Sequence, residues 1–274
     1  MEYKVINLRK KPLDDGYMPT ITTYVLDIAE NDCLRPGIII FPGGGYSFCS
    51  YTEAERIALG YNAAGFNAFV VNYSVAPNKH PEPIKDAAAA IKLVRENADE
   101  WGIAPDKIAV VGFSAGGHLA ASISVLWDDC KIFEKEDIES GIHKPDATIL
   151  SYPVITSGEF AHVGSFKNLL GENNSEMRDF MSLEKRVKET TPPAFLWHTF
   201  EDETVPVENS FLYAQALSKY NIPCEMHIYP RGGHGLSLAS HRTLWSVPCF
   251  RRKYDWLGQS VEWLIDLFEL NKIN

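Results

Sequence analysis

Residues 107–122 read KIAVVGFSAGGHLAAS, and this stretch constrains the fold more tightly than any other. A β-branched run over 108–111 ends in Gly112-Phe113-Ser114-Ala115-Gly116, and a run of small residues suited to a helix follows at once. Strand, sharp turn and helix in that order give G-x-S-x-G its meaning. The turn sets the serine at the edge of a sheet with its hydroxyl exposed. Glycine is needed on both sides, because a Cβ at 112 or 116 would strike the neighbouring strand or helix. The helix start also directs unpaired N–H groups at the space above the serine. Ser114 is therefore the candidate nucleophile; the competing reading is a glycine-rich strand–helix turn without chemistry.

Strand and helix patterns alternate through the rest of the chain. Strands are expected at 37–41 (GIIIF), 67–73 (NAFVVNY), 108–112, 147–151, 194–199 (AFLWHT) and 224–229. Residues 3–8 and 21–28 read as antiparallel edge strands joined through Asp14-Asp15-Gly16. A capping box, Thr52-Glu53-Ala54-Glu55, is expected to open a helix to about residue 64. Pro83 starts a second helix whose apolar positions 84, 87, 88, 91 and 94 share one face. Further helices are expected at 115–126, 207–220 and 259–270. The alternation implies an α/β fold, a mostly parallel sheet with helices on both faces. At 274 residues and 45% hydrophobic content, residues 1–274 read as a single domain. The irregular stretches 127–145 and 236–256 are either a partial cap over the site or surface loops.

The balance of 36 acidic against 26 basic residues, net −10, disfavours nucleic acid and anionic membrane surfaces as partners. No apolar run approaches the roughly 18 residues of a membrane span, and MEYKVINLRKK shows no signal-peptide core. Five scattered cysteines without C-x-x-C spacing read as reduced thiols, not a disulfide frame or metal site. Together these point to a cytoplasmic protein. Its oligomeric state is open, self-association included.

Phe41-Pro42-Gly43-Gly44-Gly45-Tyr46 follows the GIIIF strand. Acyl transfer needs backbone N–H groups fixed around the developing oxyanion, and glycines let the backbone approach substrate closely. The expected donors are the N–H groups of Gly44, Gly45 and Ala115. Neither G-x-x-x-x-G-K-[ST] nor G-x-G-x-x-G is present, which argues against a phosphate cradle. Tyr46 either lines the acyl pocket or packs.

A serine hydroxyl needs a neighbouring base. Of eight histidines, His234 alone sits between glycines directly beyond the last expected strand, in Arg231-Gly232-Gly233-His234-Gly235. His118 falls one helical turn after Ser114 and reads as a packing or hydrogen-bonding residue. His198 lies within a strand and reads as core. The other five, His162 among them, read as loop or surface. The orienting acid is sought in Glu201-Asp202-Glu203 after the strand AFLWHT, where Asp202, heading D-x-x-V-P, is favoured over Glu201. The order Ser114, Asp202, His234 is the order of an α/β-hydrolase triad.

PGGGY, NYSVAP at 72–77, PDKIAVVGFSAGGHLA at 105–120, DETVP and GGHG occur in that order. With them, residues 35–265 resemble an α/β-hydrolase of the esterase/lipase superfamily. The branch most similar contains acetyl-xylan-esterase-like and other carbohydrate esterases, known as sugar hydrolases. PGGG is similar to the H-G-G-G loop of esterases, with Pro42 in place of histidine. NYSVAP is similar to Y-R-L-A-P of hormone-sensitive-lipase-like esterases, with Ser74 in place of arginine.

The resemblance implies a serine esterase acting on small carboxylic esters, acetylated sugars among them, without metal or organic cofactor. Two rivals stand beside it. A serine peptidase would use the same machinery, although prolyl-type oligopeptidases carry a gating domain for which this length leaves no room. A non-catalytic binding protein would need a broken triad. Tyr46, Tyr51, Tyr152 and Trp245 fall in or near loops expected at the strand carboxyl ends, where they would suit sugar rings or ordinary packing.

Overall fold

A computed structural model describes residues 1–28, 33–172, 174–239 and 254–270. Eight strands form one sheet in the order β1-β2-β4-β3-β5-β6-β7-β8. They are β1 (Val5–Asn7), β2 (Thr20–Tyr24), β3 (Arg35–Phe41) and β4 (Asn67–Asn72). β5 (Ile103–Phe113), β6 (Ala147–Ser151), β7 (Ala194–Thr199) and β8 (Cys224–Tyr229) complete it. β1 and β2 run antiparallel to their neighbours, and β3 to β8 are parallel. The expected α/β class, with its antiparallel start, is what forms.

The central strands are nearly continuous apolar runs because both faces are covered. Alternate side chains enter two separate cores. Ile39, Phe41, Phe69 and Val110 pack beneath α2 (Glu82–Glu96), α3 (Ala115–Leu126) and α7 (Glu208–Lys219). Ile38, Ile40, Val111 and Trp197 pack beneath α1 (Glu55–Ala63) and α8 (Trp256–Leu267). The positions foreseen on one face of α2, 84, 87, 88, 91 and 94, are all buried. β5 starts five residues ahead of the expected strand, because a register shift between Arg35 and Gly37 lets Arg35 pair with Ile103.

The capping box does not form. Ala54, with no side-chain hydrogen bond, caps α1. The Thr52 hydroxyl pairs instead with Ser50 Oγ at 2.9 Å, and Glu53 turns into the protein. Of the two candidate cap segments, 127–145 carries α4 (Lys135–Ser140) and is tied to the last turn of α2. Arg95 donates to the carbonyls of Ile142 and Lys144, and Lys92 pairs with Asp137. Arg95 also reaches the Pro105 carbonyl at the amino end of β5, so residues 137–144 lie at the opposite end of the sheet from Ser114, whereas Asp129, Lys131 and Ile132 face His80 and Pro81 ahead of α2. Most of 236–256 falls outside the described residues.

Candidate active site

The turn after β5 holds Ser114 at φ 53°, ψ −117°, a conformation rare for any residue but glycine. A Cβ on Gly112 would lie 2.2 Å from the Gly116 carbonyl oxygen, and one on Gly116 2.1 Å from the Phe41 carbonyl oxygen. Both glycines are therefore dictated by contact between β5, α3 and β3.

Asp202 and His234 come from the loops after β7 and β8. His234 Nε2 lies 2.8 Å from Ser114 Oγ, and His234 Nδ1 lies 2.7 Å from Asp202 Oδ2. The second oxygen of Asp202 accepts the amides of Thr204 and Val205 at 3.0 and 2.9 Å. Burial alone would raise this carboxyl, but the hydrogen bonds of His198 and His234, the His234 charge and the Val205 amide outweigh it. They hold Asp202 far below the usual carboxylate range. Glu201, the competing acid, accepts the Gly232 amide at 3.1 Å and so steadies the loop that carries His234.

His198 is core, as expected, yet it touches the relay. Its Nε2 faces two acceptors, the Val205 carbonyl at 2.9 Å and Asp202 Oδ2 at 3.2 Å, so that nitrogen carries the hydrogen. Its Nδ1 accepts from the Ser210 hydroxyl at 2.8 Å.

Gly44 and Gly45 take φ values of 126° and 64°. A Cβ on Gly44 would meet the Phe48 carbonyl oxygen at 2.1 Å, so this loop tolerates no side chain there. Among the described residues nothing accepts from the N–H groups of Gly44, Gly45 or Ala115. Gly44, Gly45, Ser114 and His234 share a cleft of about 230 Å³ with Phe48, Ser50, Glu53, His162 and Thr204.

The loop is braced where Pro42 replaces histidine. Glu53 Oε2 accepts the Gly43 amide at 2.8 Å, the Tyr73 hydroxyl donates to the Pro42 carbonyl at 2.6 Å, and Asn168 donates to the Gly45 carbonyl at 2.8 Å. The other oxygen of Glu53 accepts the Tyr152 hydroxyl at 2.6 Å. Burial raises the Glu53 carboxyl, against the opposite pull of the Tyr152 and Gly43 hydrogen bonds. Glu53, Asn168 and His162 went unrecognised in the sequence; only the carboxylate in T-E-A-E gave a signal, and it reads as a helix cap.

Tyr46 does not line the cleft. It is 1% exposed, and its hydroxyl donates to His118 Nδ1 at 2.9 Å. His118 Nε2 faces the Met181 carbonyl at 3.0 Å, which puts the hydrogen on Nε2 and leaves Nδ1 to accept. Tyr152 is equally buried, its ring centroid 5.1 Å from that of His234. Tyr51 is exposed, and Trp245 lies outside the described residues.

A strained serine on a strand–helix turn, a histidine from the loop after β8 and a carboxylate from the loop after β7 are set on the sheet of an α/β hydrolase. The chain belongs to the BD-FAE family, whose pattern matches residues 26–217. It is 41% identical over 231 residues to Endo-1,4-beta-xylanase B of Butyrivibrio fibrisolvens, covering 82% of this chain and 36% of that protein. It is 33% identical over 220 residues to the acetylxylan esterase of Xylanibacter ruminicola, covering 78% of this chain and 43% of that protein. The chain thus spans less than half the length of either relative. The solved structure of the acetyl ester-xyloside bifunctional hydrolase from Caldicellulosiruptor lactoaceticus superposes with a TM-score of 0.85 at 41% identity. That match covers 97% of this chain and 96% of the other.

Proposed function

We propose that this chain is a serine esterase that removes short acyl groups, acetyl above all, from esters of carbohydrates. The relay from Ser114 through His234 to Asp202, opening beside the unpartnered N–H groups of Gly44, Gly45 and Ala115, carries this conclusion. Ser114 Oγ attacks the ester carbonyl carbon while its proton passes to His234 Nε2. The carbonyl electron pair moves onto oxygen, where the three N–H groups receive it. Asp202 holds the His234 Nδ1–H and stabilises the imidazolium without taking its proton. Collapse breaks the bond to the alcohol oxygen, which leaves with the proton of His234. Water then repeats the sequence on the acyl-serine and restores the enzyme.

The small cleft supports a short acyl group: about 230 Å³ lies below the roughly 300–1,000 Å³ usual for ligand pockets. The carbohydrate alcohol is supported by relatives named for xylan and xyloside chemistry. Four described cysteines are free thiols, which supports a cytoplasmic setting. The test compares kcat/KM for acetyl, butyryl, octanoyl and palmitoyl aryl esters and measures acetate released from acetylated xylose. Activity should fall steeply beyond butyryl, and acetate should appear. A preference for octanoyl or longer overturns the short acyl group; no acetate overturns the carbohydrate alcohol.

A further inference from the structure

His162 stands in the cleft with no role in the steps above. It caps α5 (Val163–Leu170) and lines the same cleft as Ser114 and His234. Its Nδ1 accepts the Ser165 amide at 3.3 Å and lies 2.8 Å from Ser165 Oγ. That amide is shared with the His162 carbonyl at 3.1 Å and can only donate, so toward it Nδ1 presents its lone pair, and the neutral ring carries its hydrogen on Nε2. A second proton on the ring would have to enter between Nδ1 and that amide. Burial, and then the neighbouring His234 charge, also hold His162 below its ordinary value. Among the described residues nothing accepts from Nε2. An N–H donor is thus left in the cleft without a protein partner.

The donor is also held in place. Phe166 and Leu169 anchor α5 in the core, and Asn168 of the same helix donates to the Gly45 carbonyl at 2.8 Å. The imidazole therefore keeps a fixed position relative to the Gly44–Gly45 loop. The relay is complete without it, and the oxyanion donors are backbone groups. An acetyl methyl has no lone pair to accept a hydrogen bond. A sugar does, in the hydroxyls and ring oxygen beside the ester.

We propose that His162 is a specificity-determining residue, donating from Nε2 to an oxygen of the carbohydrate that carries the ester. This rests on the esterase reading above. The experiment measures kcat/KM for acetylated xylose and for an aryl acetate with no hydroxyl beside the ester, in the wild type, His162→Phe and His162→Gln. The phenylalanine variant should lower the sugar-to-aryl ratio roughly fivefold to tenfold, the scale of one neutral hydrogen bond. The glutamine variant, which keeps an N–H at that reach, should recover most of the ratio. Should the phenylalanine variant fail to fold, His162→Ala reads the same ratio. An unchanged ratio in the phenylalanine or alanine variant, or a glutamine variant no better than phenylalanine, overturns the assignment while leaving the esterase intact. A wild type that cleaves the aryl acetate and not the sugar overturns the carbohydrate substrate and this role together.

Discussion

Glu53 and Tyr152 meet in a buried hydrogen bond of 2.6 Å that joins the two loops on which the proposed chemistry depends. The other Glu53 oxygen holds the Gly43 amide, at the start of the Gly44–Gly45 turn. The Tyr152 hydroxyl also accepts the Ser237 amide at 2.9 Å, three residues beyond His234. Ser237 in turn donates to the Thr52 carbonyl, next to Glu53. The proposed oxyanion donors and the proposed base are thereby fixed relative to each other, which is how electrostatic preorganisation is built.

Replacing Glu53 should therefore damage catalysis more than binding. Glu53→Ala leaves the Gly43 amide and the O–H of Tyr152 buried without an acceptor, and kcat should fall by about 10- to 100-fold, short of the loss of a whole oxyanion donor. Steady-state kinetics on aryl acetate will show it. A rise in KM alone would mean that the loop is held by other means.

The two competing acids separate by mutation. Asp202→Asn keeps the shape but reverses the hydrogen-bond logic toward His234, and kcat should drop by about 10⁴-fold. Glu201→Gln disturbs one contact, to Gly232 at 3.1 Å, and should cost less than about tenfold. Comparing kcat for the two variants decides between them, and the reverse order would move the acid to Glu201.

Gly116→Ala should lower both stability and activity. Its Cβ would press on the Phe41 and Pro42 carbonyl oxygens at 2.1 and 2.4 Å, the strand end from which the Gly43–Gly45 loop departs. Relief requires backbone movement, so a loss of about 2 kcal/mol or more is expected, beside a lowered kcat. A variant melting within a degree or so of the wild type would show that the turn can shift freely.

His118 makes stability depend on pH. Burial lowers it to about 4, against the hydrogen bond to the Met181 carbonyl. In the unfolded chain a histidine titrates near ~6.5. Between these values the unfolded state binds more protons than the folded one. Stability from the neutral ring is thus complete above about pH 6.5 and declines as pH falls toward 4, by up to about 3 kcal/mol. Urea unfolding at pH 7 and pH 4.5 should show a shallower fall in His118→Gln than in the wild type; equal falls would contradict the assignment.

Ser114, Asp202 and His234 could be read from the sequence because each is confined by its own short motif directly after a strand. The order of those strands then brings residues 120 and 32 positions apart into contact. Glu53 and Tyr152 are 99 positions apart, and no local pattern marks either as the other's partner. Thr52 to Glu55 satisfies the spacing of a helix cap, yet the pull of the Gly43 amide and the Tyr152 hydroxyl draws Glu53 inward and the helix starts later. Tyr46 could have lined the cleft or packed, and the buried acceptor on His118 decides for packing. His162 gave no signal, because its place depends on Asn168 docking α5 against the oxyanion loop.

The central claim is that Ser114 is the nucleophile that carries the acyl group. Incubation with a fluorophosphonate, followed by intact-mass and peptide mass spectrometry, tests it most directly. One adduct on Ser114 is predicted, with no adduct and almost no esterase activity in a folded Ser114→Ala variant. An adduct on a different residue, or a Ser114→Ala enzyme that hydrolyses aryl acetate at the wild-type rate, would contradict the account.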